Sequence, residues 1–386
     1  MAARFTLALL AATATASYIA PTSEAVTLRE PPEPPPSGTP RTNCPHLSVG
    51  LSNWHDVRTW ASSTVPAAGA AVTLPPSTHV LLTRSPGLTF GLITVPASSS
   101  LIIGENATHG IELDAAGIHL LGSLRAGSAS CRLNAAVTIT LHGGRPSNTH
   151  TLQPSAKGIH VAGSGVLDLH GKQYHRTWTR LARRVEPGER YVYLQRPVNW
   201  LAGMEVVITT TAMKDSRDWH RNEVLTLGSN AVPLLQNGGS VLYLTTPVQY
   251  LHEANDAWQA EVGLLSRTII VQGALMDSEP TDTTPLSCNS GAYVFGRYET
   301  MPCPNTYKTG YGGHLLAEGT LATARISGVE FKRMGQTNVL GRYPIHFHLM
   351  GDVHTGDSTM PRAYVTDSSI HRSYYRCVSI HGTARY

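Results

Sequence analysis

The stretch GRYPIHFHLMGD sets His346 and His348 on either side of Phe347. In a β-strand, residues i and i+2 face the same way, so both imidazoles share one face. His314, His371 and His381, with the charged Glu330, Arg342, Asp352 and Asp367, belong to the same part of the chain. Such a set supports three chemistries. Two carboxyls about 5–9.5 Å apart hydrolyse a glycosidic bond, and Glu330 with Asp352 form the candidate pair. A base plus a cation that steadies developing negative charge serves a lyase acting on a uronic sugar. A neutral His346 or His348 with Arg342 would supply both, with His314, His371 and His381 as substrate contacts. Two same-face imidazoles with Asp352 suit Zn²⁺ or another transition ion. Calcium takes oxygen ligands and would draw on Asp352, Asp357 or Asp367. The plain alternative is a ladder of imidazoles bonded to backbone or to one another, with Glu330 paired to Lys332 or Arg333.

The elements that must position these groups read as strands. From Ser48 to Lys172, runs such as HVLLT, GLITVP, SLIIG, AVTITLHG and GVLDLHG recur, separated by Gly, Pro, Ser or Asn. That spacing marks an all-β architecture. Several runs are apolar on successive residues, as in a wall packed on more than one side. After Ala260, the segments EVGLLSRTIIVQG, ISGVEF, VTDSSIH and CVSIHGT each join a strand to a polar turn. Units of this size fit a parallel β-helix, in which each coil buries its apolar face against its neighbours. Gly335, Gly341 and Gly351 mark turns. The chain stops at Tyr386 without a recognisable cap, so a truncated solenoid is expected.

Composition places the chain in its compartment. MAARFTLALLAATATA has a basic residue, a short apolar run and a small-residue end, the pattern of a signal peptide over residues 1–16. No stretch reaches the ~18 apolar residues of a membrane span. Residues 17–46 are a Pro-rich linker. The net charge is +4 with 18 neutral histidines, and no long Lys/Arg run points to nucleic acid. An oxidising compartment would pair cysteines. Cys44 stands at the start of the ordered region and is a partner for Cys131. Cys288 and Cys303 flank one loop and are partners for each other. Cys377 is then expected buried and free. Asn106-Ala107-Thr108 is a glycosylation acceptor. Trp54, Trp60, Trp178 and Tyr174 could stack on sugar rings or fill a core poor in Phe. Arg125, Arg132, Arg176 and Arg180 suit bidentate carboxylate contacts.

Two regions resemble a known family. GHLLAEGTLATARISGVEFKRMGQTNVLGRYPIHFHLMGDV, followed by YVTDSSIHRSYYRCVSIHGT, is similar to the β-helix of the cell-migration-inducing, hyaluronan-binding family and its transmembrane relatives. Trp54, Trp60, LRAGSASC, ITLHG and LDLHGK resemble the G-eight domain, which fibrocystin-like receptors also carry. The resemblance implies a G-eight domain over 47–172, a connecting β-rich segment over 173–260 and a right-handed parallel β-helix over 261–386. It also implies a secreted or cell-surface protein that contacts an anionic polysaccharide such as hyaluronan, with calcium suggested for one branch. Hyaluronan-processing members carry a globular module between the two domains, and residues 173–260 leave too little room for it. A non-catalytic glycan-binding scaffold is therefore expected, the alternative being a polysaccharide-depolymerising enzyme acting at His346 and His348.

Overall fold

The computed structural model describes residues 40–384 apart from 107, 148–152, 213–220, 235–237, 283–284, 288–291, 295–296, 300–301, 308 and 355–359, and gives backbone strands only within 285–307. The fold is a three-faced parallel β-helix carrying an antiparallel insertion.

The first face is a sheet of seven parallel strands, in the order Ser52–Asn53, His79–Leu82, Ser100–Ile103, Ser123–Ala126, Val166–His170, Thr323–Ser327 and Ala363–Thr366. The other two faces form one curled sheet. Its long strands Thr89–Val95 and Ile111–Leu120 bend from the second face to the third. The second face continues through Val137–Leu141, Ile269–Gly273, Val329–Lys332 and Ser369–His371. The third continues through Gly158–Val161, His314–Glu318, Ile345–Asp352 and Val378–Ala384.

Alternation explains this arrangement. Leu167 and Leu169 point inward while Asp168 and His170 point outward, and Ile345 and Phe347 point inward while His346 and His348 point outward. The inward residues form one continuous core from Trp54 to Ala363. That core runs through both regions that resemble known domains, because coils from each stack in the same sheets. Strand Thr323–Ser327 pairs directly with Val166–His170.

Between Val166–His170 and Ile269–Gly273 the chain leaves the solenoid. Trp178–Arg180, Glu205–Ile208, Glu223–Thr226 and Glu261–Leu264 pair antiparallel, as do Tyr191–Leu194, Val232–Pro233 and Ser240–Tyr243. They enclose a second core that includes Trp200, Val206 and Leu242.

Cys44 and Cys131 form a disulfide, fastening the first described residues to the coil that contains Ser123–Ala126. The Cys288–Cys303 pairing lies outside the described residues. Cys377 is free but exposed, which corrects the expected burial. It precedes Val378–Ala384, the outermost described strand, on which no further described coil packs. Inward-pointing Val378 and Ile380 are exposed there for the same reason.

Candidate functional site

The third face gathers some of the sequence-derived set and disperses the rest. His348 and His381 are register partners on adjacent coils, with Nδ1 atoms 3.2 Å apart. His346 lies edge-on to His348 at 5.0 Å between ring centres, and its Nδ1 donates to Gly341 O at 3.0 Å. Burial lowers its pKa, and the neighbouring histidines add to that effect. One coil back, Glu318 pairs in register with His348 and accepts from His160 Nε2 at 2.7 Å. His160 stacks on His119 at 5.0 Å. A half-buried imidazole band thus crosses five coils. Its His119, His160 and Glu318 escape local pattern reading, because only the register brings them beside His346.

Arg342 and His314 lie beneath this band. Arg342 donates to Pro154 O at 2.7 Å and to Gln153 O at 3.0 Å, and its Nη1 stands 2.6 Å from His314 Nε2. His314 is completely buried, and burial lowers its pKa to about 3. Both expected roles are corrected. Arg342 binds backbone carbonyls and does not face a substrate, while His314 has no route to one. Together they join the turn before Gly158 to the strand Ile345–Asp352.

The expected carboxyl pair is not assembled. Glu330 projects from the second face, and Asp352 lies at the far end of the third. Glu330 is buried and accepts from His371 Nε2 at 2.9 Å and from Arg267 N at 3.1 Å. His371 therefore lies with Glu330 and not with His346. Glu205 of the insertion joins this group, with Lys332 Nζ at 3.5 Å and Arg372 Nη2 at 3.4 Å. Glu205, Glu330 and His371 are close enough together to hold a metal ion. Lys332 and Arg372 already supply the positive charge there, so the group reads as an anchor between insertion and solenoid.

The calcium set does not fit. Asp357 lies outside the described residues. Asp352 Oδ1 accepts from His354 N at 3.0 Å, while Asp367 lies on another face beside Arg132 and Arg267.

Two of the four tryptophan and tyrosine candidates, Trp54 and Trp60, are core residues in edge contact, and Tyr174 is buried as well. Trp178 is exposed.

A second polar surface lies on the first face. Arg125, Asp168, Arg325 and Tyr364 are register partners across four successive coils and all point outward. Asp168 Oδ2 stands 3.8 Å from Arg125 Nη1, and Oδ1 stands 3.5 Å from Arg325 Nη1. Both separations exceed the ~2.7–2.9 Å of a charge-assisted hydrogen bond. Asp168 Oδ1 is buried without a hydrogen-bond partner, and so is His170 Nδ1 two residues on. Burial raises the Asp168 pKa although both arginines oppose it. His170 Nε2 meets Tyr364 OH at 2.7 Å, and burial lowers the His170 pKa to about 3, helped by Arg132 and Arg325. Arg125 keeps 42% of its side chain exposed. Of this column, sequence reading had singled out only Arg125.

The comparisons with known proteins agree with this architecture. Residues 59–182 match the G8 domain family, and residues 310–386 match the CEMIP beta-helix family. The chain is 34% identical over 347 residues to Protein rliB of Dictyostelium discoideum, covering 89% of this chain and 26% of rliB. It is 34% identical over 348 residues to Communication mutant protein F of the same organism, covering 89% of this chain and 27% of that protein. Against human Fibrocystin-L the identity is 31% over 358 residues, covering 86% of this chain and 8% of the relative. The chain thus spans about a quarter or less of the length of these curated relatives. With a G8 match, a CEMIP β-helix match and one parallel solenoid running through both, the chain belongs to the family of G8 domain proteins with a CEMIP-type β-helix.

Proposed function

We propose that this protein is a secreted or cell-surface glycan-binding scaffold that takes an anionic polysaccharide, hyaluronan being the first candidate, along the first face of its solenoid. The observation that carries this reading is the outward column Arg125–Asp168–Arg325–Tyr364. Guanidinium forks suit carboxylates, and Arg125 and Arg325 keep part of their side chains exposed on either side of the buried Asp168. Strand repetition offers such groups at the roughly 4.8 Å spacing of adjacent coils. The N-terminal leader supports export. So does the acceptor at Asn106, whose Oδ1 caps a turn by accepting from Thr108 N and His109 N. A mass shift on enzymatic deglycosylation of protein secreted from eukaryotic cells checks that assignment.

Binding of sized hyaluronan, chondroitin and a neutral glucan by surface plasmon resonance tests the reading. Binding of the anionic polymers only, weakened roughly tenfold by Arg125→Ala, is the expected result, since a bidentate charged contact is lost. Equal binding by wild type and Arg125→Ala would remove the first face from the proposal.

One observation favours a second, enzymatic reading. Asp168 lies between two arginines and close to the His170–Tyr364 pair. A lyase needs a base for the proton α to the uronate carboxylate and a cation on that carboxylate. In that case hyaluronan would shorten with formation of unsaturated ends, and Asp168→Asn would abolish the reaction even at saturating polymer. Unchanged polymer length between pH 4 and 8 would reject this reading alone.

A further inference from the structure

A cavity of about 340 Å³ lies at the corner where the second face turns into the third. That size takes a small organic molecule. The chain enters the corner at His142, directly after strand Val137–Leu141, and leaves it at Lys157, directly before strand Gly158–Val161. Most of the wall is carbon, from Leu92, Ala116, Pro146, Ala156 and the ring of Tyr311. Gly143 and Gly144 are exposed at the rim, and a Cβ on either would meet nothing within 4 Å. The cavity is therefore open to solvent on that side.

One cation stands in this apolar wall. Lys157 lines the cavity although only 3% of the residue is exposed. Its backbone lies in the left-handed region at φ 50°. Donation of its N–H to Ala116 O at 2.7 Å, and acceptance from His314 N at 3.2 Å, hold it there. A non-glycine residue keeps that conformation only where its surroundings impose it. The ammonium donates to Asp277 O at 3.0 Å and stands 5.4 Å from the centre of the Tyr311 ring. The Asp277 carboxylate is turned elsewhere. Its Oδ2 accepts from Gly143 N at 2.9 Å and lies 3.7 Å from His142 Nδ1. Asp114 is taken by His142 Nε2 at 2.7 Å. Among the described residues, Lys157 thus has a carbonyl and a ring as partners but no carboxylate. Arg145 adds a second positive group, 5.9 Å from the same ring. Burial lowers the Lys157 pKa to about 8, so the side chain is still largely charged at neutral pH. A buried charge is costly unless it is paired, and an ammonium has three donors to satisfy.

We propose that this cavity binds a small carboxylate with an apolar body, its charge at Lys157 and its hydrocarbon against Leu92, Ala116 and Tyr311. Such a ligand supplies the counter-charge that Lys157 lacks and covers the carbon wall. A sugar ring suits the cavity less well, because its hydroxyls need more polar partners than this wall offers. An inorganic anion would leave the apolar wall unused. The site does not depend on the glycan reading, since no residue of the first-face column belongs to it.

Titration of the full chain with phenylacetate, phenylacetamide, acetate and inorganic phosphate, followed by ligand-observed NMR, provides the test. The expected result is saturable binding of phenylacetate with a Kd of about 1 mM or tighter. Phenylacetamide has the same shape without the charge and should bind at least about tenfold more weakly. Acetate and phosphate at equal concentration should not displace phenylacetate. Lys157→Met should weaken phenylacetate binding at least about tenfold, the effect of losing a charged hydrogen bond. Ala116→Leu leaves Lys157 in place and fills the cavity from the wall, so it should abolish binding while keeping the wild-type melting temperature. Absence of saturable phenylacetate binding by the wild type would overturn the proposal. So would equal affinity for the amide, displacement by phosphate, or a folded Ala116→Leu protein that binds as the wild type does.

Discussion

At the scale of single residues, burial decides which histidines remain chemical. His170 and His314 are held neutral, each with its pKa lowered by burial from 6.5 to about 3. His170 faces Arg132, Arg325 and Tyr364, and His314 faces Arg342 and His160. Between about pH 3 and 6.5 the unfolded chain binds protons that the folded chain refuses, so stability rises with pH across that window. It is accordingly lost as the pH falls from 6.5 towards 3, by up to ~1.4 kcal/mol per pH unit for each group. Urea midpoints measured at several pH values should show this slope, and His314→Gln should make it shallower. The space for His314 depends on a glycine, because a Cβ at Gly158 would overlap its ring. Gly158→Ala is expected to cost about 1–3 kcal/mol, the range for overpacking a filled interior, whereas His381→Ala should cost almost nothing. Equal melting temperatures for wild type and Gly158→Ala would show that the ring can move aside.

At the scale of elements, the solenoid is fastened at two places. The Cys44–Cys131 disulfide spans a sequence separation of 87. Chain-entropy arguments assign such a closure roughly 4–5 kcal/mol, so a Cys44→Ser/Cys131→Ser protein should melt well below wild type. The second fastening is Glu330, which ties the second face to the insertion through Arg267 and, beside Glu205, to His371. Removing a buried acceptor leaves its donors unsatisfied, at a cost of about 1–3 kcal/mol. Glu330→Ala should therefore destabilise the protein while sparing hyaluronan binding at the first face. Loss of binding without loss of stability would instead restore Glu330 to a role in function.

At the scale of the whole molecule, two cores divide the stability. The solenoid core is continuous from Trp54 to Ala363, while the insertion has its own core around Trp200. Trp200→Ala should remove about 3–5 kcal/mol from the insertion. Hydrogen exchange should then quicken in Glu205–Ile208 and Glu261–Leu264 and change little in Ile111–Leu120. Uniform acceleration in both would mean that the two cores unfold as one unit.

The chain by itself determined the strand character, the solenoid and the shared face of His346 and His348. Alternation and turn residues are local, and a period of two needs only neighbours in sequence to be visible. The family likeness was also legible, in the MGQ…YPIHFHL…GD block and the Gly-rich region before it. Tertiary structure alone decided the companions of each residue. His381 joined His348 because their strands pair in register, but His371, only ten residues earlier in sequence, went to Glu330 because its strand lies on another face. Asp168 and Arg325 met although 157 positions separate them (325 less 168), since a long excursion inserted between two coils leaves their register intact. In a solenoid, partners are set by the number of residues per turn and by what is inserted at each corner. No local pattern encodes that sum, so the first-face column became visible only once the coils were stacked.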